Sequence, residues 1–129
     1  MPLEIKVQKS ASGAVVVKLN GSLDTATAPE LEKQLAPAVG KAVKDVVFDL
    51  AQLKFISSAG LRVFSATRKT LKERGGQASF VNMQPQIQEV FAIIRALPGV
   101  AVFESDAEMD RYLAARQKAV LENKPLTED

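Results

Sequence analysis

The stretch FISSAGLRVF, residues 55–64, sets two hydroxyls, Ser57 and Ser58, between an apolar run and the first turn of a basic helix. Adjacent serines can be a nucleophile, a helix cap, or a place where charge is added and removed. The first reading fails on composition. The chain contains no His and no Cys, which removes the commonest general base, and the G-x-S-x-G elbow of hydrolases is absent. Lys54, the candidate for a Ser–Lys pair, lies upstream with nothing in the sequence to desolvate it.

The other two readings are compatible. With Ser58 as the N-cap of a helix over Ser58–Arg74, its hydroxyl faces the orphan N–H groups of the first turn, and Arg62 comes to the same side. Phosphorylation adds about −1.5 to −2 charges and three acceptor oxygens. A helix N-terminus and an arginine can hold that charge at the surface without disturbing a core. On local sequence alone the plain cap is the better explanation, because Ser caps helices in any protein.

Other chemistry finds less support. Phosphate-cradling loops of the G-x-x-x-x-G-K-[ST] and G-x-G-x-x-G kinds are missing. Asp24, Asp45 and Asp49 lack the compact spacing of a metal site, so neither cofactor nor metal is expected. Arg62, Arg68, Lys69, Lys72 and Arg74 form a basic helix face without interleaved aromatics, which reads as a solvated surface and not as a nucleic-acid contact. The 17 basic and 15 acidic side chains balance too closely to indicate a polyanion partner.

These residues need a scaffold. LEIKVQ and AVVVKLNGSL alternate apolar and polar positions around KSASG and read as a hairpin. Thr27 and Glu30 form a capping box ahead of a helix with Leu31, Leu35 and Ala38 on one face. DVVFDL, Asp45 to Leu50, reads as a central strand covered on both faces. The serine helix follows and stops at Gly75-Gly76. QASFVNM is a further strand, and Ile87, Val90, Phe91 and Ile94 mark an amphipathic helix ending at Leu97-Pro98-Gly99. VAVF is a last short strand. A second capping box, Ser105 with Glu108, opens a helix that buries Met109, Tyr112 and Leu113.

Strands alternating with helices predict an α/β fold with a mostly parallel sheet and one antiparallel pair. The length of 129 residues allows one domain, assigned to residues 1–116, with a polar tail over 117–129. No apolar leader opens the chain and no segment is long enough to cross a bilayer, so a cytoplasmic protein without membrane insertion is expected.

NGSLDTATAPELEKQL, DVVFDLAQLKFISSAGLRVF and GGQASFVNMQPQIQEVFAI, taken in order, resemble the STAS domain of anti-sigma factor antagonists. The likeness runs from about Leu3 to Tyr112, carried by G-x-L-D at Gly21–Asp24, the strand ending in Asp49-Leu50, and F-I-S-S-A-G-L at Phe55–Leu61. It implies the STAS fold, a single mixed, largely parallel sheet with an N-terminal hairpin packed against helices. In that family the loop commonly reads Asp-Ser-[Ser/Thr]-Gly-Leu and its first serine is phosphorylated. Aligning Gly60 and Leu61 puts Ser58 at the acceptor, with Ser57 as second choice and in the place of the aspartate.

The resemblance further implies a non-enzymatic switch. The unphosphorylated chain would bind an anti-sigma factor, a serine protein kinase of the histidine-kinase-like ATPase type, and phosphorylation of Ser58 would release it. A serine phosphatase of the metal-dependent class would reset the cycle. The expected partner surface comprises Asp24, Thr25, Ser57, Ser58, Leu61 and Arg62. The alternative is a STAS adaptor subunit of a transporter or stressosome-like assembly, without phosphorylation.

Overall fold

The structure, a computed structural model, describes residues 2–96 and 105–122. Strand β1 (Leu3–Lys9) turns back on β2 (Val15–Leu23), followed by helix α1 (Ala28–Ala38), β3 (Asp45–Ile56), α2 (Ser58–Glu73), β4 (Gln77–Val81), α3 (Pro85–Ala96) and α4 (Asp106–Leu121). Among the described residues the sheet order is β1-β2-β3-β4. The β1–β2 pair is antiparallel and the other two are parallel, so the expected mixed sheet with an N-terminal hairpin is the one formed. The expected VAVF strand and the Leu97-Pro98-Gly99 stop lie outside the described residues.

The core follows the period-two pattern of the strands. Val15, Val17, Leu19 and Leu23 of β2 and Val46, Phe48, Leu50, Leu53 and Ile56 of β3 are buried, against Leu31 and Leu35 of α1, Val63, Phe64 and Leu71 of α2, and Ile87 and Val90 of α3. Phe48, Phe64, Phe80 and Phe91 interlock with centroids 4.8–6.2 Å apart: Phe48 and Phe80 stack between β3 and β4, and tilted contacts of Phe64 and Phe91 lock α2 and α3 onto them.

Three sequence expectations are corrected here. First, β3 is central but not covered on both faces: Val47 and Asp49 are half-buried and Asp45 is exposed. It also runs six residues past Leu50, to Ile56. Its buried positions step from Leu50 to Leu53 to Ile56 because the register with β2 shifts between Lys18 and Asn20 and again between Gly21 and Ser22. Each shift is a bulge on β3 that breaks the alternation in sequence while keeping the apolar residues on one face.

Second, the Thr27–Glu30 capping box does not form. Thr27 is the N-cap but its side chain makes no cap hydrogen bond. Its hydroxyl donates to the Ser22 carbonyl at 2.8 Å and accepts from the Asp24 N–H at 2.9 Å. Third, Tyr112 is 41% exposed, while Leu113 is buried and Met109 packs half-buried against the core. The Ser105 hydroxyl does accept the Glu108 N–H at 3.1 Å, and α4 continues past the expected domain boundary at residue 116.

Helix α2 ends as its glycines require. Gly75, at φ +76, donates to the Lys72 carbonyl and Gly76 to that of Leu71, the paired bonds of a Schellman stop. Arg74, expected in the basic face, instead donates to the carbonyls of Gly40 at 2.7 Å and Val43 at 3.0 Å. That cation is committed to holding the turn before β3.

Candidate functional site

Parallel pairing of β2 with β3 brings their carboxyl ends together, and the two loops that leave them meet. Leu23 pairs with Ile56, and the Ser57 N–H donates to the Leu23 carbonyl at 2.9 Å. The Asp24 loop therefore stands beside the serine loop. Asp24 Oδ1 accepts the N–H groups of Ala26 and Thr27, both at 3.0 Å, which closes a turn into α1. Thr25 is exposed, and Asp24 itself is half-buried.

The sequence expectation for the serines is off by one position. The N-cap of α2 is Ser57, with extended backbone at φ −108 and ψ 177, and Ser58 is the first helical residue. The Ser57 carbonyl accepts the Leu61 N–H at 3.0 Å, the first bond of the helix. Its hydroxyl makes no cap bond and, although buried, finds no hydrogen-bond partner among the described residues. Gly60 explains the tight seating: a Cβ there would lie 2.6 Å from Leu23 Cγ and 3.0 Å from Ile56 Cγ1, so only glycine lets the first turn press onto the ends of both strands.

Nor are the serines at the surface. Ser57 is 5% and Ser58 3% exposed. Helix α4 reaches them through contacts that the sequence does not announce. Asp110 Oδ1 accepts the Ser58 N–H at 2.8 Å, filling a donor that every helix start leaves open. Asp106 pairs with Arg62, so the arginine expected to stand ready for a phosphate is engaged by a carboxylate. Both members of that pair are largely solvent-exposed, and such pairs contribute little to stability. Leu61 is half-buried.

Gln117, 1% exposed, completes the junction. Its Oε1 accepts the Ile56 N–H at 3.0 Å, and its Nε2 donates to the carbonyls of Ile56 at 2.8 Å and Leu113 at 3.1 Å. It belongs to a series. Pairing with β4 ends at Asp49, and beyond it the Gln84 amide donates to the Ala51 carbonyl at 2.7 Å and the Gln86 amide to that of Lys54 at 3.1 Å. Side-chain amides thus take over where the neighbouring strand stops, meeting the demand that buried backbone groups be paired. Asp106, Asp110 and Gln117 were missed because nothing in SDAEMDRYLAARQ ties them to a loop more than forty residues earlier. A polar Gln on the otherwise apolar side of Leu113 was the available signal.

Among the described residues no group of acidic side chains is disposed to hold a metal ion, and no helix is long and apolar enough to cross a membrane. The site comprises two hydroxyls, a helix N-terminus and the Asp110 carboxylate on the Ser58 N–H.

Comparison with known proteins bears on the fold and the family. BtrV of Bordetella bronchiseptica, a candidate anti-sigma factor antagonist by its name, is 40% identical over 81 residues, 63% of this chain and 70% of its own. The anti-sigma-B factor antagonist of Staphylococcus epidermidis is 34% identical over 77 residues, 60% of this chain and 71% of its own. Among solved structures, the Bacillus cell fate determinant SpoIIAA in its phosphorylated form superposes with a TM-score of 0.61 at 19% identity, covering 84% of this chain and 99% of that one. The anti-sigma factor antagonist SpoIIAA in its unphosphorylated form gives 0.60 at 21% identity, covering 70% and 83%; at these identities the likeness is one of fold. Residues 3–116 match the STAS domain, a span that holds the whole sheet, the serine loop and most of α4, and the chain belongs to that family.

Proposed function

We propose that the chain is an anti-sigma factor antagonist of a partner-switching pathway, acting in the cytoplasm without catalytic activity of its own. Unphosphorylated, it binds an anti-sigma factor that is also an ATP-dependent serine kinase, and so frees the sigma factor. The kinase then forms a bond from Ser58 Oγ to the γ-phosphorus of its ATP and breaks the bond to the bridging oxygen. ADP leaves, and the hydroxyl proton passes to a base of the kinase. A metal-dependent serine phosphatase hydrolyses the ester and restores the binding form. The names of the relatives support the class.

The observation that carries the reading is the seat of Ser58 on the first turn of α2, beside the Asp24 loop and facing the Asp110 carboxylate. A dianion there meets a like charge in a buried place, and the cost of that arrangement is several kcal/mol. A partner fitted to a neutral hydroxyl loses its complementarity. Asp24, Thr25, Ser57, Ser58, Leu61 and Arg62 are the residues it would read, the two serines from a buried position.

The test is to incubate the chain with an anti-sigma factor kinase that binds it and magnesium ATP, then map phosphate by mass spectrometry. Phosphate on Ser58 is expected; phosphate on Ser57 alone would overturn the assignment. Ser58→Ala is expected to keep partner binding and Ser58→Asp to weaken it. Burial of both serines favours a second reading, a STAS adaptor subunit that is never phosphorylated, which would reveal itself as tight binding with no modification.

A further inference from the structure

Strand β1 is an open edge. Among the described residues it pairs with β2 alone, so the backbone groups on its outer side have no strand beside them, and such a row can pair with another chain. The charges along it are also unbalanced. On the exposed face of the sheet Lys6 stands directly opposite Lys18, a like-charge pair that weakens a sheet. Asp49 of β3 flanks Lys18, whereas no strand flanks Lys6 on its outer side, and neither lysine has an ion pair among the described residues. On the opposite face Val7 is 38% exposed, beside a groove of about 780 Å³ whose other wall is Glu30, Lys33, Gln34, Pro37 and Ala38 of α1.

We infer that β1 is a self-pairing edge whose partner is a second copy of this chain, joined antiparallel about a two-fold axis at Ile5. In that register Ile5 meets Ile5, Leu3 meets Val7 and Glu4 meets Lys6, the last two pairs each occurring twice by symmetry. A lysine on an edge keeps foreign strands away, but here the acid two residues before it supplies its match. Moving the axis by one residue, to Glu4 or to Lys6, sets like charges against each other, so the register is specified as well as permitted. The row across the joined sheets then runs Glu4, Lys6, Lys18, Asp49, with an acid at each end of the two lysines. Two four-stranded sheets become one, and Leu3 of the second copy comes against the exposed Val7. Each serine loop lies where its own β2 ends, so antiparallel pairing sends the two loops to opposite ends of the joined sheet, and neither covers the other. The ladder is short, which makes the dimer weak and concentration-dependent.

Sedimentation equilibrium of the full chain tests this. The parent is expected to dimerise with a midpoint between about 10 and 500 μM, as befits a small interface. Lys6→Glu is expected to weaken association about tenfold, and Glu4→Lys combined with Lys6→Glu to restore it, because the exchanged pair is complementary again. Both positions are exposed, and circular dichroism checks that the variants keep the fold. A parent that stays monomeric at about 500 μM, a dimer indifferent to Lys6→Glu, or a double variant as weak as the single one would overturn the inference. The axis is read separately. The chain has no Cys, so Ile5→Cys places one thiol per copy at the centre, where facing Cα atoms lie about 4.5–5.5 Å apart, within reach of a disulfide. Oxidation is expected to cross-link Ile5→Cys and to leave Gln8→Cys monomeric, since its two copies stand about 20 Å apart. Equal cross-linking of the two variants would refute the axis at Ile5.

Discussion

The side chain of Gln117 binds both backbone groups of Ile56, accepting its N–H at 3.0 Å and donating to its carbonyl at 2.8 Å. A residue of α4 thereby completes the end of a strand that is 61 positions away in sequence. Leu fills the same volume and offers neither group. Gln117→Leu is expected to destabilise the fold by about 2–4 kcal/mol, since two buried backbone groups lose their partners. Urea unfolding measures it as a lower midpoint at an unchanged slope, and a loss under 1 kcal/mol would mean that the clasp is dispensable.

Ser57 gives the opposite expectation. Removing an N-cap serine ordinarily costs about 0.5–2 kcal/mol. Here the hydroxyl makes no cap bond and is buried without a partner among the described residues, so its desolvation is uncompensated. Ser57→Ala is expected to lie between no change and a gain of about 1 kcal/mol. Thermal unfolding reads the sign directly, and a clear loss would imply a hydrogen bond at that oxygen.

Gly60 sits where helix propensity and packing disagree. Alanine is favoured over glycine in a helix by about 1 kcal/mol, but a Cβ would meet Leu23 Cγ at 2.6 Å. Overpacking of this kind costs about 1–3 kcal/mol, so Gly60→Ala is expected to lower the melting temperature in spite of propensity. A rise would indicate that Leu23 yields freely.

Arg62 separates stability from recognition. Its pair with Asp106 is exposed, and Arg62→Ala is expected to change stability by less than about 0.5 kcal/mol. If the serine loop is the partner surface, the same variant slows association with the anti-sigma factor, because a rim charge acts mainly on the on-rate. Unchanged association kinetics across salt concentrations would remove Arg62 from the interface.

Much of the scaffold was legible in the residues because it rests on local signals. Alternation marked the hairpin, Gly75-Gly76 marked the end of α2, and the i, i+3, i+4 apolar positions marked α3. Two things were not legible, for different reasons. The second half of β3 was hidden because bulges interrupt the alternation on which strand recognition depends. The closure of the serine loop was hidden because Asp110 and Gln117 are distant in sequence, and short-range pattern carries no information about which distant helix will cover a loop. The one-position error at the cap has the same origin: with Ser57 and Ser58 adjacent, spacing alone favoured the later one, whereas the hydrogen bond from Ser57 to Leu23 holds Ser57 in the extended conformation of a cap.

The bulges of β3 have a consequence for the serine loop. Between the pairings Lys18 with Asp49 and Leu23 with Ile56, β3 contains two residues more than β2. The surplus does not carry the loop farther out, since Ile56 still stands opposite Leu23. It changes the twist and bend of the strand on the way. The location of Ser57 and Ser58 is thus dictated by β2, and the direction in which they face by β3. Shortening β3 at Gln52 would leave the loop at its address while turning its aim away from α4, so that position and orientation are separately adjustable along one strand.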